Sequence, residues 1–313
     1  MSFIISILGC NGAVPQLEKF PSAQILQVSN KYYLIDCGEG TQFQMLKYDS
    51  PKHKIDHIFI SHLHGDHVFG LIGLLTSYQL AGRTKAINLY APIGLEEMIK
   101  AQLRVNGKDT LSYEMIFNVL DHQNAKIVFE DSSVSVKSFP LLHRVPTCGF
   151  LFQEKPKLPN INKELILKYK LTTQQIVSIK NGIDIILGNG TELRSEVAII
   201  KAYQPRSYAY CSDTAYLPDL VEYLKNVDLL YHEATFMEKD ADLAEKTLHS
   251  TAKQAARIAI SCEAKQLLIG HFSARYKSRE MVLKEAQSVF SNTIAANEGL
   301  QIEISRQTLT TNK

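Results

Sequence analysis

What this sequence lacks narrows it first. It has no Cys-x-x-Cys pair, and its five cysteines, Cys10, Cys37, Cys148, Cys211 and Cys262, are odd in number and widely spaced. Such spacing speaks against a disulfide framework and for a reducing compartment, with the thiols as core residues. Long apolar runs are missing too. The N-terminal run from Phe3 stops at Gly9 and has no basic residue ahead of it, too little for a secretory signal or a membrane span. A cytoplasmic protein with no membrane partner is the expectation. An excess of charge of either sign is also absent, since 34 Lys and Arg against 32 Asp and Glu leave +2. Bulk charge therefore neither demands nor excludes a nucleic-acid partner, and local clusters have to decide. With 313 residues, 45% hydrophobic and 21% charged, the chain can bury a full core as one large domain with an insertion or as two domains.

What is present is a dense run of metal-capable side chains. Ile58 to Ile60 reads as a buried strand, Ser61 to Gly65 as a turn, and Asp66 onward as a helix with Leu71, Leu74, Leu75 and Tyr78 on one face. His62 and His64, two apart on extended backbone, face the same way, and Asp66 and His67 at the helix start are aimed back toward them. Around this run the chain alternates short strands with helices. Phe3 to Leu8, Ala23 to Val28 and Tyr32 to Ile35 suggest a β-meander, and Thr41 is placed to cap a helix over Gln42 to Tyr48. Asp36, in the glycine-rich turn after the third strand, is a candidate carboxylate behind a metal histidine. Later strands, Val134 to Phe139, Ser207 to Cys211, Val227 to Tyr231 and Gln266 to Ile269, each end near a ligand-capable residue: His143, Asp213, His232-Glu233 and His271. Active sites collected at strand ends are what α/β architectures produce. The polar tail after Ile304 is expected to fray.

The segment 154–194 differs from its surroundings. Between Lys155 and Lys180 it carries six lysines (Lys155, Lys157, Lys163, Lys168, Lys170 and Lys180) against the single acid Glu164, a local net of +5. Its apolar residues follow no long period, so it reads as an inserted arm with a lysine face open to an acidic partner.

His62-x-His64-x-Asp66-His67 resembles the hallmark of the metallo-β-lactamase superfamily. The resemblance implies an α/β fold, an αββα sandwich of two mixed β-sheets flanked by helices, with two metal ions at one edge. The strand-end residues supply a matching nitrogen-rich set, His62, His64, Asp66, His67, His143, Asp213 and His271, suited to zinc or manganese. Seven ligands are too many for one ion. A two-zinc site uses all of them, with Asp213 bridging, His62, His64 and His143 on one ion, and Asp66, His67 and His271 on the other. Such a pair makes hydroxide available at neutral pH and stabilises the attacking and leaving oxygens of an in-line displacement, and Asp66 is placed to orient the nucleophile. The same chemistry opens a lactam or a thioester, so the metal set does not name the substrate.

Other pieces do discriminate. Leu8-Gly-x-x-Gly-Ala-Val-Pro, Tyr33-Leu-Ile-Asp-Cys-Gly-Glu-Gly-Thr, His232-Glu-Ala-Thr, His249-Ser-Thr and Gly270-His-Phe-Ser-Ala-Arg-Tyr together look like the ribonuclease Z family of tRNA 3′-processing endonucleases. That resemblance implies a zinc enzyme that removes the 3′ trailer from precursor tRNA, leaving a tRNA 3′-hydroxyl and a trailer 5′-phosphate. It implies that His249 is the general acid and Glu233 its positioning carboxylate. It also implies a homodimer in which residues 154–194 form a flexible tRNA-binding arm, with Lys155, Lys157, Lys163, Lys168 and Lys170 as substrate contacts. The family's usual Gly-Pro pair is missing from this arm, which reads Leu171-Thr-Thr-Gln-Gln instead.

Overall fold

The computed structural model describes residues 2–105, 107, 110–200 and 203–306. Its strands are β1 (Phe3–Gly9), β2 (Ala23–Val28), β3 (Lys31–Ile35), β4 (Ile55–Phe59), β5 (Ile87–Ala91), β6 (Met115–Val119), β7 (Lys126–Glu130), β8 (Val134–Pro140), β9 (Cys148–Glu154), β10 (Asn160–Ile161), β11 (Ile185–Ile186), β12 (Glu192–Leu193), β13 (Ile199–Ile200), β14 (Ser207–Cys211), β15 (Leu229–Glu233), β16 (Gln266–Gly270), β17 (Thr293–Ala295) and β18 (Gln301–Glu303). The helices are α1 (Thr41–Lys47), α2 (Gly65–Val68), α3 (Leu71–Leu80), α4 (Leu95–Arg104), α5 (Lys163–Tyr169), α6 (Thr173–Lys180), α7 (Ser195–Ala198), α8 (Val221–Leu224), α9 (Ala241–Thr247), α10 (Ala252–Ser261) and α11 (Arg279–Gln287). The chain divides into two compact units, Met1–Gln153 with Ser207–Ile304, and Glu154–Arg206 with Ser305–Lys313.

The larger unit holds two seven-stranded mixed sheets, ordered β18-β1-β2-β3-β4-β5-β6 and β17-β16-β15-β14-β9-β8-β7. Their inner faces share one core. Ile5, Ile7, Tyr33, Ile35 and Phe59 from the first sheet join Val136, Phe150, Phe152, Tyr208 and Tyr231 from the second. The alternate residues Ile25, Leu34 and Ile58 point outward into a second core, closed by Leu71, Leu74, Leu75 and Tyr78 of α3 and by Leu95, Ile99 and Leu103 of α4. Both faces of the strands are thus buried, as a sandwich flanked by helices requires.

Topology decides where the strand ends go. The expected meander is present, with β1–β2 and β2–β3 antiparallel. From β3 onward the strands turn parallel, Ile35 lying opposite Phe59, so the C-terminal ends of β3 and β4 emerge together. In the second sheet β14, β15 and β16 are also parallel, with Cys211 opposite His232 and Glu233 opposite Gly270. Parallel neighbours connected by crossovers release their next residues on one edge. That edge receives Asp36, His62, Asp213, Glu233 and His271.

Two local expectations are corrected. The helix expected to run unbroken from Asp66 is interrupted between α2 and α3, because Gly70 N–H donates to the Cys37 carbonyl at 2.9 Å. A Cβ there would lie 2.1 Å from the Gly38 oxygen, so only glycine permits this backbone approach. Thr41 does not cap α1. Gly40, at φ +79°, occupies the cap, and the Thr41 hydroxyl donates instead to the Gly38 carbonyl at 2.6 Å. The helix after His249 is capped by a reciprocal pair of bonds between Thr251 and Gln254.

The smaller unit contains the whole of 154–194 and continues to Arg206. Its core is small: Ile161, Leu171, Ile179, Leu187, Leu193 and Ala198 are its buried apolar residues. Two short antiparallel ribbons, β10–β13 and β11–β12, frame α5 and α6. Where the chain enters and leaves, Arg206 donates to Glu154 from Nε at 2.9 Å and from a terminal nitrogen at 3.0 Å, both side chains being buried. Of the tail expected to fray, residues 307–313 lie outside the described residues. Among the described residues no helix is long and apolar enough to cross a membrane.

Candidate metal and catalytic site

The structure brings all seven candidate ligands together. The ligand atoms of His62, His64, His143 and Asp213 lie within 4.8 Å of one another, as do those of Asp66, His67, Asp213 and His271. Asp213 belongs to both groups and divides its oxygens between them. Its Oδ2 is 3.7 Å from His62 Nε2 and 3.8 Å from His143 Nε2, while its Oδ1 is 3.4 Å from His67 Nε2 and 3.3 Å from His271 Nε2. Within the first group His64 Nδ1 sits 3.1 Å from His62 Nε2 and 3.2 Å from His143 Nε2. Within the second, Asp66 Oδ2 is 3.2 Å from His271 Nε2.

The outward nitrogens of His62, His67, His143 and His271 each have a protein partner. His143 Nδ1 donates to the Leu248 carbonyl at 2.9 Å, which can only accept, so its Nε2 lone pair faces the cluster. His67 Nδ1 meets Asp36 Oδ2 at 2.7 Å, His62 Nδ1 meets the Ser61 hydroxyl at 3.0 Å, and His271 Nδ1 meets the Thr235 hydroxyl at 2.8 Å. Fixing one ring nitrogen to orient the other is how proteins prepare histidines for a metal. Asp36 is itself held by Ser61 N–H at 2.7 Å and the Tyr210 hydroxyl at 2.7 Å. Three residues of this edge, Asp36, Leu248 and His271, take φ of 56°, 56° and 57°. Left-handed backbone at non-glycine residues is disfavoured by of order 1–3 kcal/mol and persists where surroundings over-determine it, as at functional sites.

The electrostatics fit a cation. Asp213 Oδ1 is buried and has no hydrogen-bond partner among the described residues. An ionised oxygen in that position is costly unless positive charge faces it. Burial would raise the Asp213 carboxyl, but His271 and His67 outweigh it and hold it well below the usual carboxylate range. Burial would lower the His67 imidazole, yet Asp213, Asp66 and Asp36 raise it well above its ordinary value. His62 is driven the other way, by burial first and then by the charge of His67. A histidine and aspartate set of this kind is able to bind a divalent metal.

Beside it stands a second arrangement. His249 Nδ1 lies 2.7 Å from Glu233 Oε1, whose carboxylate also accepts from Thr214 N–H at 3.1 Å and, through Oε2, from Thr235 N–H at 2.9 Å. Glu233 is fully buried. Burial would lower the His249 imidazole, but Glu233 outweighs it and raises it to about 9. Its ring stacks on His271 with centroids 5.4 Å apart. A cleft of about 450 Å³ opens onto this edge, lined by His64, Asp66, His143, Asp213, His249 and His271.

The five candidate substrate lysines fall in the smaller unit. Lys157, Lys163, Lys168 and Lys170 are exposed and Lys155 is half-buried. Lys168 lies over the Tyr169 ring at 5.1 Å. Residues that the sequence left unassigned complete the site: Ser61, Thr214, Thr235, Tyr210 and the Leu248 carbonyl. Ser61 and Thr235 adjoin recognisable motif residues, which is a usable signal. Tyr210 is an inward residue of β14, and nothing local marks it.

A family model described as anti-Pycsar protein Apyc1 matches residues 3–167, a stretch that holds His62 to His67 and His143 and stops before Asp213, Glu233, His249 and His271. Over nearly its full length the chain is 44% identical to ribonuclease Z of Bacteroides fragilis strain YCH46, across 302 residues that cover 96% of this chain and 99% of that one. Human tRNase Z, short form, superposes with a TM-score of 0.69 at 26% identity, covering 96% of this chain and 99% of that chain. The metallo-β-lactamase fold protein YhfI from Bacillus subtilis gives 0.67 at 18% identity over 97% of this chain and 100% of that one, a likeness of fold. The protein therefore belongs, over residues 3–167, to the family that the Apyc1 model describes and, over almost its whole length, to the ribonuclease Z family on the metallo-β-lactamase fold.

Proposed function

We propose that this protein is a metal-dependent endoribonuclease that removes the 3′ trailer from precursor tRNA, leaving a tRNA 3′-hydroxyl and a trailer 5′-phosphate. The observation that carries the reading is the Glu233–His249 pair at 2.7 Å beside the seven-residue histidine and aspartate set. A ribose 3′-oxygen is a poor leaving group, and a carboxylate-held imidazole supplies its proton. With Nδ1 turned to Glu233, His249 offers Nε2 to the cleft, and a raised imidazole is protonated at neutral pH. His62, His64 and His143 would hold one divalent ion and Asp66, His67 and His271 a second, with Asp213 available to both, and the bound metal would supply Lewis acidity toward water and phosphate; zinc would suit this donor set and manganese would be tolerated. Asp66 orients the attacking water, and Asp36 keeps His67 in place. Residues 154–194 serve as the tRNA-binding arm, with Lys155, Lys157, Lys163, Lys168 and Lys170 meeting the phosphate backbone, whose A-form helix is read by shape and charge. The chain acts as a homodimer, and its five buried cysteines, outside any disulfide, suit the reducing cytoplasm.

The test is cleavage of a 3′-extended precursor tRNA by metal-reconstituted protein, with both new ends mapped. Cleavage at the end of the acceptor stem, abolished by chelation and restored by zinc, is expected. Hydrolysis of thioesters or lactams with no cut in the precursor would make this a small-molecule hydrolase of the same fold.

A further inference from the structure

Thr235 occupies the one point where the two arrangements of the site touch. Its hydroxyl lies 2.6 Å from Glu233 Oε2 and 2.8 Å from His271 Nδ1, with His249 Nδ1 farther away at 3.3 Å. A hydroxyl has a single proton to give. Both Glu233 oxygens already act as acceptors, Oε1 from Thr214 N–H at 3.1 Å and Oε2 from Thr235 N–H at 2.9 Å. The Thr235 hydroxyl, 2.6 Å from Oε2, therefore gives its proton to Glu233. The His249 proton on Nδ1 is already directed to Glu233 Oε1 at 2.7 Å. What remains for the Thr235 oxygen is to accept from His271, which therefore carries a proton on Nδ1. With Nδ1 so engaged, Nε2 is the nitrogen turned to the ligand set, facing Asp66 Oδ2 at 3.2 Å and Asp213 Oδ1 at 3.3 Å. The left-handed backbone at His271, φ 57°, and the closeness of Gly12, where a Cβ would sit 3.3 Å from His271 Cε1, hold the ring in this pose.

We propose that Thr235 is a positioning residue that sets the tautomer of His271 for metal binding and, through Glu233, ties that ligand to the orientation of His249. The first half concerns this chain's own imidazole and needs no RNA; the second rests on the function proposed above. The bonds run without a break from His249 to Glu233 to Thr235 to His271. Thr235→Val keeps the shape and loses the hydroxyl, leaving His271 Nδ1 without its acceptor. Thr235→Ser keeps the hydroxyl and loses the methyl.

Side-chain ¹⁵N spectra of the metal-free wild-type protein should show His271 protonated at Nδ1. In Thr235→Val that signal should become a tautomer mixture, and zinc retention against a competing chelator should weaken roughly 10–100-fold at one of the two positions, the usual effect of losing a partner behind a metal histidine. Thr235→Ser should restore most of the retention. Cleavage of precursor tRNA by Thr235→Val at saturating zinc should fall more than hydrolysis of bis-p-nitrophenyl phosphate, whose leaving group needs little help from His249. Wild-type His271 lacking a proton on Nδ1, a Val variant with unchanged Nδ1 signal and zinc retention, or a Ser variant no better than Val would each overturn the proposal. Should Val fail to fold, the wild-type tautomer and the Ser variant still decide it. If the spectra and zinc data hold while no RNA is cut, the link to His271 stands and the RNA assignment falls.

Discussion

The strand-end cluster and the 154–206 segment are built on opposite terms. In the cluster the outer nitrogens of His62, His67, His143 and His271 are each tied to a partner, and the backbone is bent into left-handed turns at Asp36, Leu248 and His271 to arrange it. In the smaller unit six buried apolar residues hold two ribbons and short helices, while Lys157, Lys163, Lys168 and Lys170 stay exposed. Chemistry at a metal demands atoms fixed by many constraints at once, and a deep sandwich core supplies them. Binding a phosphate backbone demands charge and reach, which a thin core carries at low local stability.

Removing a constraint from the cluster should have the largest effect. His64→Ala should bring hydrolysis of every substrate to background and lower bound metal from near two per chain, measured by elemental analysis. Retained activity would mean the histidines are structural. His249→Ala should keep its metal but slow precursor cleavage by about 10²–10⁴-fold, the usual worth of a general acid. The loss should shrink for a p-nitrophenyl diester, and equal losses on both substrates would assign His249 a structural role.

The same histidine sets a pH dependence. Its imidazole is raised to about 9 by Glu233. A general acid works while protonated, so precursor cleavage should hold through neutral pH and fall as pH rises past about 9. The associated stability has the same sign, present below the ordinary histidine value near 6.5 and lost as pH climbs through about 9. Glu233→Gln should move the basic limb toward lower pH, and an unmoved limb would separate it from this pair.

Changes in the smaller unit should be milder and selective. Replacing Lys163, Lys168 and Lys170 with Gln should weaken precursor binding and flatten its salt dependence by about 0.9 in log–log slope for each duplex phosphate no longer neutralised, with small-diester hydrolysis unchanged. An unaltered slope would remove these lysines from the interface. Ile179→Ala, at the centre of the small core, should cost about 2–4 kcal/mol of local stability. Amide exchange should speed up within 154–206 and stay unchanged in the two large sheets. Acceleration throughout would show one cooperative body rather than two.

Much of the larger unit is legible in the chain because its signals are local. The meander, the strand before His62 and the helix after Ser250-Thr251 follow from short apolar runs and caps. What lies between is less legible. β6, β9 and β18 have weaker patterns, being edge strands or strands whose partners are far along the chain, and α6 is hidden by a polar sequence whose helicity rests on the Thr172–Gln175 capping pair. The break before α3 depends on the Gly70 backbone meeting Cys37 and Gly38, an approach no helical period reveals.

For the site, local spacing along the chain makes the side chains available. Histidines and aspartates at strand ends, spaced for extended backbone and helix starts, are a local property, as is the lysine excess of 154–194. How they are joined depends on the closing of the two sheets. Parallel pairing of β3 with β4 and of β14 with β15 and β16 delivers residues from five separate stretches to one edge. There Asp213 divides its oxygens, Thr235 reaches His271, and the Leu248 carbonyl meets His143. Those choices belong to distances between residues as many as 205 positions apart, and a chain sets such distances only when its sheets close.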